Sequence, residues 1–248
     1  VTDHTVRSYE EELKLLDTKI AQMGGLAEEV LGHAIDALLR RDPGLAEATI
    51  DADKKIDLME REIEEHAITI IARRQPMAID LRQIMTSIRI AVDLERIGDL
   101  SKNIAKRALA IAEEQHPKQL MLGLRHMGVT AMEQLHDVLD AYSERNPEKA
   151  LKVWTRDDEL DSMYNSIFRE LLTYMMEDPR NIGLCTHLLF GAKNLERIGD
   201  HATNVAETIH FLVYAASFPD ERPKSDVTSL TPASALDPAR GQARHLPR

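Results

Sequence analysis

Leu94-Glu95-Arg96-Ile97-Gly98-Asp99 is repeated letter for letter as Leu195-Glu196-Arg197-Ile198-Gly199-Asp200, and each copy has an asparagine four residues after its aspartate, Asn103 and Asn204. Six identical residues in a row, 101 residues apart, mark an internal duplication, and a repeat of that size constrains the architecture before any local assignment is made. The same stretch constrains the chemistry. Glu95/Asp99 and Glu196/Asp200 are carboxylate pairs at i, i+4, which on a helix stack on one face with Cβ atoms roughly 5–6 Å apart. Like charges held so close destabilise a helix unless something positive sits between them, so a chain that does this twice is expected to bind cations.

Outward from the motif, apolar residues recur at helical spacing and Pro-containing dipeptides punctuate them. A first helix is predicted from about Val6 to Arg40, a second after Asp42-Pro43 to about Arg74, and a third after Gln75-Pro76 to about Gln115, with Asp80 as its cap. His116-Pro117 closes this half and the pattern restarts. A fourth helix runs from about Gln119 to Arg145, a fifth follows Asn146-Pro147 as far as Asp178-Pro179, and a sixth spans about Ile182 to Ala216. The second copy keeps Met23-Gly24 as Met127-Gly128, and Asp53/Asp57 as Asp157/Asp161, all 104 residues on. The expected fold is therefore all-α: two tandem three-helix bundles related by duplication in an elongated molecule, 5–116 and 117–216. From Ser217 onward Pro, Ser, Asp, Ala and Arg replace the apolar period, and residues 217–248 are expected to form a disordered tail.

Composition agrees. Aromatic residues make up 4% of the 248, and the chain is rich in helix formers. A net charge of −11 argues against nucleic acid or anionic lipid as a partner. The one cysteine, Cys185, excludes an internal disulfide and a cysteine-based zinc site. Neither a signal peptide nor a membrane span is legible, so a cytoplasmic place is expected.

On the third helix Leu94, Ile97, Ile104 and Ile90 form an apolar stripe, with Glu95 and Asp99 on roughly the opposite side; the sixth repeats this with Leu195, Ile198, Val205 and Ile209 against Glu196 and Asp200. The acids are thus expected outside the core. A single acidic pair is ordinarily a solvated helix face. Four pairs at matching places are another matter: if the second and third helices of each unit are antiparallel neighbours, Asp53, Asp57, Glu95 and Asp99 converge in one half, and Asp157, Asp161, Glu196 and Asp200 in the other. Hard oxygen ligands in that number suit Mg²⁺, Mn²⁺, Ca²⁺ or iron. Asn103 and Asn204 extend each row by a turn. Arg96 and Arg197 point about a quarter turn or more away and are expected to balance charge. Gly98 and Gly199 cost each helix roughly 1 kcal/mol against Ala, which close helix approach would explain. His201 stands where the first copy has Leu100, and is read as a boundary histidine.

Two three-helix units, each with LERIGD and a following asparagine on the last helix, and with continuations Asn103-Ile104-Ala105-Lys106 and Asn204-Val205-Ala206-Glu207, resemble the PhoU family of phosphate-signalling regulators over about residues 5–216. The resemblance implies a cytoplasmic, commonly homodimeric regulator without enzymatic turnover. Such a regulator associates peripherally with the phosphate ABC transporter, through its ATPase subunit, and passes its state to a sensor histidine kinase, so that the starvation response stays off when phosphate is plentiful. It also implies metal ions, namely iron, zinc, manganese or magnesium, on the eight acids named above. Leu100-Ser101-Lys102 in the first copy departs from His201-Ala202-Thr203 in the second, which puts equal loading of the halves in question. Two other readings compete. A carboxylate-bridged di-iron oxidase needs paired E-x-x-H motifs, and Glu133/His136 and Glu207/His210 supply two, at non-equivalent places. A metal-free helical scaffold needs nothing from the acids.

Overall fold

A computed structural model describes residues 2–114, 118–219 and 222. Among these residues seven α-helices follow in order: α1 (Thr2–Arg40), α2 (Pro43–Arg74), α3 (Ile79–Ala110), α4 (Lys118–Ser143), α5 (Pro147–Thr155), α6 (Asp157–Glu177) and α7 (Ile182–Tyr214), with a 3₁₀ turn at Pro179–Asn181. The described residues include no strand. In the first half α1, α2 and α3 pack on one another; in the second α4, α5 and α6 all pack on α7. The halves meet where α3 lies against α7 and α1 against α4. None of the described helices is long and apolar enough to cross a membrane.

The boundaries follow from local chemistry repeated in both halves. Arg41 (φ 56°) and Arg145 (φ 49°) are left-handed, and the next amide reaches back to Ala37 and Ala141 respectively, at 3.1 and 2.9 Å. This is a Schellman close. Asp42 and Asn146 then cap the following helix, accepting from Leu45 N and Lys149 N at 3.0 Å each, with Pro at the first helical position. The third helix starts otherwise than expected. Its cap position is Ala78 (φ 49°), which has no capping side chain, and Asp80 sits in the first turn. That helix stops at Ala110 in a turn rather than reaching Gln115.

One predicted helix is two. The expected fifth helix breaks at Arg156, whose backbone (φ −98°, ψ 10°) leaves the helical region. Its carbonyl accepts from Gln134 Nε2 of α4 at 3.1 Å, and α6 restarts with Asp157, Asp158 and Glu159 in its first turn, where carboxylates favour the helix dipole.

The core is aliphatic. Leu16, Ile20, Met23, Ile56, Ile63, Ile84, Ile90, Leu94, Ile97 and Ile104 are fully buried in the first half, and Met127, Leu135, Leu188, Ile198 and Val205 in the second, each large side chain contributing about 1.5–3 kcal/mol. Cys185 is buried and free. The Met-Gly pairs explain themselves at the junction of the halves. A Cβ on Gly24 would stand 2.6 Å from Leu139 of α4, and one on Gly128 would stand 3.0 Å from Ile35 of α1. Leu139 follows Ile35 by the same 104 residues that separate the glycines, so each half offers the other the same glycine-against-aliphatic contact. The duplicated units are thus related by a pseudo-twofold.

Most of the expected tail lies outside the described residues. Its first part is packed: Phe218 rests against the core, and Arg222 makes ion pairs with Asp157 and Asp200.

Candidate functional site: two acidic clusters

Helical spacing brings Glu95, Asp99, Lys102 and Asn103 along one side of α3, and α2 lays Asp53 and Asp57 against it. Lys102 Nζ donates to Asp53 Oδ2 and to Asp99 Oδ1, both at 2.5 Å. Asp53 is 2% exposed and its Oδ1 has no hydrogen-bond partner among the described residues. Burial pushes its carboxyl above the usual range despite Lys102, with Asp57 and Asp99 adding repulsion. Glu95 is raised by burial too, against the pull of Arg96. The four predicted acids of the first half therefore share one field. Gly98 makes the approach of α2 possible, since a Cβ there would meet Ile56 at 2.8 Å and Asp53 Oδ1 at 3.1 Å.

In the second half α7 carries Glu196, Asp200 and Asn204, and α6 brings Asp157 and Asp161. Asp157, Asp161 and Glu196 are buried. Glu196 accepts from Lys193 Nζ at 2.9 Å through Oε1, while Oε2 finds no hydrogen-bond partner among the described residues. Burial drives the Glu196 carboxyl up to about 7, moderated by Lys193 and reinforced by Asp200 and Asp161. Arg222 closes the other side. Its Nε and Nη2 donate to the two Asp157 oxygens at 2.7 and 2.6 Å, Nη2 also to Asp200 Oδ1 at 2.6 Å, and Nη1 to Asn204 Oδ1 at 3.0 Å. Gly199 plays the part of Gly98, with Leu160 of α6 pressed against it.

One expectation needs correcting. Glu196 was expected outside the core together with Glu95, Asp99 and Asp200, yet it is buried, as are Asp53, Asp157 and Asp161; the facing helix covers it, which a single-helix projection leaves out. The halves also differ more than the motif does. Lys102 follows Asp99 by three residues and has Thr203 as counterpart, whereas Lys193 precedes Glu196 by three and has Val92. Each cluster thus has a lysine, on opposite flanks of the motif.

The remaining predicted residues fall into place around the clusters. Arg96 is exposed and pairs with Glu95 at 3.4 Å and Asp99 at 3.9 Å, as charge balance required, and Arg197 is exposed. Asn103 is half-buried. His201 turns away from the cluster: its Nδ1 lies 2.9 Å from Asp93 of α3, which also accepts from Asn204 at 3.3 Å, tying α3 to α7. The E-x-x-H pairs are engaged elsewhere. Glu133 pairs with Arg156 and His136 with Glu28; Glu207 accepts from Trp154, and His210 stacks on Phe218 and Tyr214.

Lys102, Arg222 and Gln134 were not anticipated. Lys102 had a legible signal, its i, i+3 spacing from Asp99; Arg222 lies among residues with no periodicity. As arranged, no group of three or more His, Cys, Asp or Glu among the described residues is disposed to hold a metal ion. Lysine or guanidinium nitrogens stand among the carboxylates instead. The donor set nonetheless fits a hard cation: all-oxygen, anionic, and with one buried unpartnered oxygen on each side, Asp53 Oδ1 and Glu196 Oε2.

Comparison with known proteins agrees with this layout. The family model described as the PhoU domain matches residues 20–108 and again 124–209. The chain is 56% identical over 226 residues to the phosphate-specific transport system accessory protein PhoU homolog of Rhizobium meliloti, covering 91% of this chain and 95% of that one. It is 51% identical over 229 residues to the homolog of Caulobacter vibrioides, covering 92% and 100%. The crystal structure of PhoU from Pseudomonas aeruginosa superposes with a TM-score of 0.81 at 39% identity, over 84% of this chain and 100% of that one. The phosphate transport system regulatory protein PhoU from Streptococcus pneumoniae gives 0.78 at 28%, over 85% and 99%. With the duplicated motif, the three-helix units and both domain matches in register, the chain belongs to the PhoU family.

Proposed function

We propose that this protein regulates phosphate uptake and signalling by binding rather than by turnover. It attends the phosphate ABC transporter at its ATPase subunit, relays its state to a sensor histidine kinase, and holds the starvation response off when phosphate is plentiful. Family membership supports this reading, as do relatives named for accessory and regulatory roles in phosphate transport. Apolar side chains exposed at the two equivalent corners, Met77 and Ile79 in one half and Met176 and Ile182 in the other, offer contact surface suited to protein partners. A homodimer in the cytoplasm is part of the same reading.

The acidic clusters are proposed to hold divalent or trivalent cations, with manganese, magnesium or iron better matched than zinc to an all-oxygen set. The observation that carries this is the buried carboxylate oxygen left without a partner in each cluster. A bound cation supplies positive charge there. The chain's own residues bind and orient it: Asp157, Asp161, Glu196 and Asp200 in one half, Asp53, Asp57, Glu95 and Asp99 in the other. Deletion is expected to turn on phosphate-starvation genes in phosphate-rich medium, and an unchanged response would overturn the regulatory reading. Elemental analysis of protein purified without chelator, set beside Glu95→Ala and Glu196→Ala, tests the cation. Metal in the wild type that is lost in the variants is the expected result.

A further inference from the structure

The two clusters obtain their positive charge in different ways. In the first, the cation is Lys102, fixed on the same helix as Asp99 and bonded to Asp53 and Asp99. In the second, Thr203 occupies the equivalent place and carries no charge, and the cluster's lysine, Lys193, pairs with Glu196 instead. Arg222, from beyond the last helix, reaches in to Asp157 and Asp200, the repeat counterparts of Asp53 and, by motif, of Asp99. Its guanidinium makes a fork on Asp157 and adds bonds to Asp200 and Asn204. This is bidentate recognition with the stronger class of hydrogen bond.

We propose that Arg222 is a counter-cation supplied by the chain itself: it fills the second acidic cluster when no metal is bound there, and a divalent cation loads that half by displacing it. The proposal rests on the cation-binding reading above and adds its regulation. Two positive groups cannot share Asp157 and Asp200 without strong repulsion, so guanidinium and metal exclude each other. The arginine is able to leave with its backbone because it does not belong to a helix of either bundle, whereas Lys102 is carried by α3 and yields to a cation only by turning its side chain aside. Loading of the second half therefore frees Arg222 from the cluster. Four residues earlier Phe218 packs at a tilt between Trp154 (ring centroids 4.9 Å apart) and His210 (4.1 Å). It lies beside an apolar cleft of about 320 Å³ lined by Pro147, Leu151 and Tyr214. Trp154 is the only tryptophan of the chain and precedes Asp157 by three residues. It reports directly on whether Phe218 is seated against it.

The test titrates Mg²⁺, which does not quench indole, into the full chain and into Arg222→Gln, with Arg180→Gln as a control of equal charge change on an exposed arginine paired to Asp178. Calorimetry reads affinity and Trp154 emission reads the seating of Phe218. If the arginine is seated about nine-tenths of the time, Arg222→Gln gains about tenfold in Mg²⁺ affinity. Its emission is red-shifted before any cation is added, and wild-type emission moves to the same position as Mg²⁺ saturates. Arg180→Gln behaves as wild type. Binding of equal affinity in wild type and Arg222→Gln, or saturation that leaves wild-type emission unmoved, overturns the proposal while leaving cation binding intact. No Mg²⁺ binding in either protein overturns the proposal, and the cation-binding reading then stands or falls on the elemental analysis.

Discussion

At the scale of single residues the acidic clusters behave as buried charge, and buried charge has a signature in mutant stability. Removing one member of a buried pair strands the other, at about 3 kcal/mol, whereas removing both is far cheaper. Lys102→Ala is therefore expected to destabilise the protein by about 3 kcal/mol in urea unfolding at neutral pH, and Lys102→Ala combined with Asp53→Asn to recover most of it. A double variant as unstable as the single one would show that Lys102 packs rather than pairs. His187 gives a second expectation. Its ring is held below the usual pKa of 6.5 by burial and by Arg107, and Nδ1 has no hydrogen-bond partner among the described residues. The unfolded chain then binds this proton more readily than the folded one, so stability is lost as pH falls through about 6.5 toward the lower folded value. His187→Asn is expected to flatten that part of the stability profile relative to wild type. Of the residues that matter, the eight acids could be read from repeat position alone. Lys102 was half legible, through its i, i+3 spacing from Asp99 but not its bond to Asp53 across the bundle; Gln134 and Arg222 were not, because what they meet comes from elsewhere in the chain.

At the scale of elements, the helix starts at Pro43 and Pro147 were plain in the sequence because the determinants are local: a capping side chain, then proline. Asp42→Ala and Asn146→Ala are each expected to cost about 1 kcal/mol, and near-equal losses by thermal or urea unfolding would match their equal geometry. Helix ends and the interruption at Arg156 were less legible. Nothing in residues 147–177 forbids a continuous helix. At the break the Arg156 carbonyl accepts from Glu159 N of its own segment and from Gln134 Nε2 on another helix, and periodicity along one segment contains no record of a donor on its neighbour. The first helix shows the converse: two adjacent glycines, Gly24-Gly25, lie within it, yet α1 runs through them unbroken, with Leu139 seated where a Cβ on Gly24 would stand.

At the scale of the molecule, the duplication was visible in two identical hexapeptides, while the way the halves face each other was not. That arrangement depends on side chains meeting at long range: Asp93 with His201 and Asn204, and Asp17 with Tyr142 and Arg145. The reciprocal glycine contacts carry a further consequence. A surface that matches its own repeat across a pseudo-twofold also matches itself, so a fragment ending at Glu114 holds both the notch and the knob that fills it. Released from its sibling, such a fragment should become its own mate, Gly24 of each copy receiving Ile35 of the other. Sedimentation of that half-length piece should then find twice its mass.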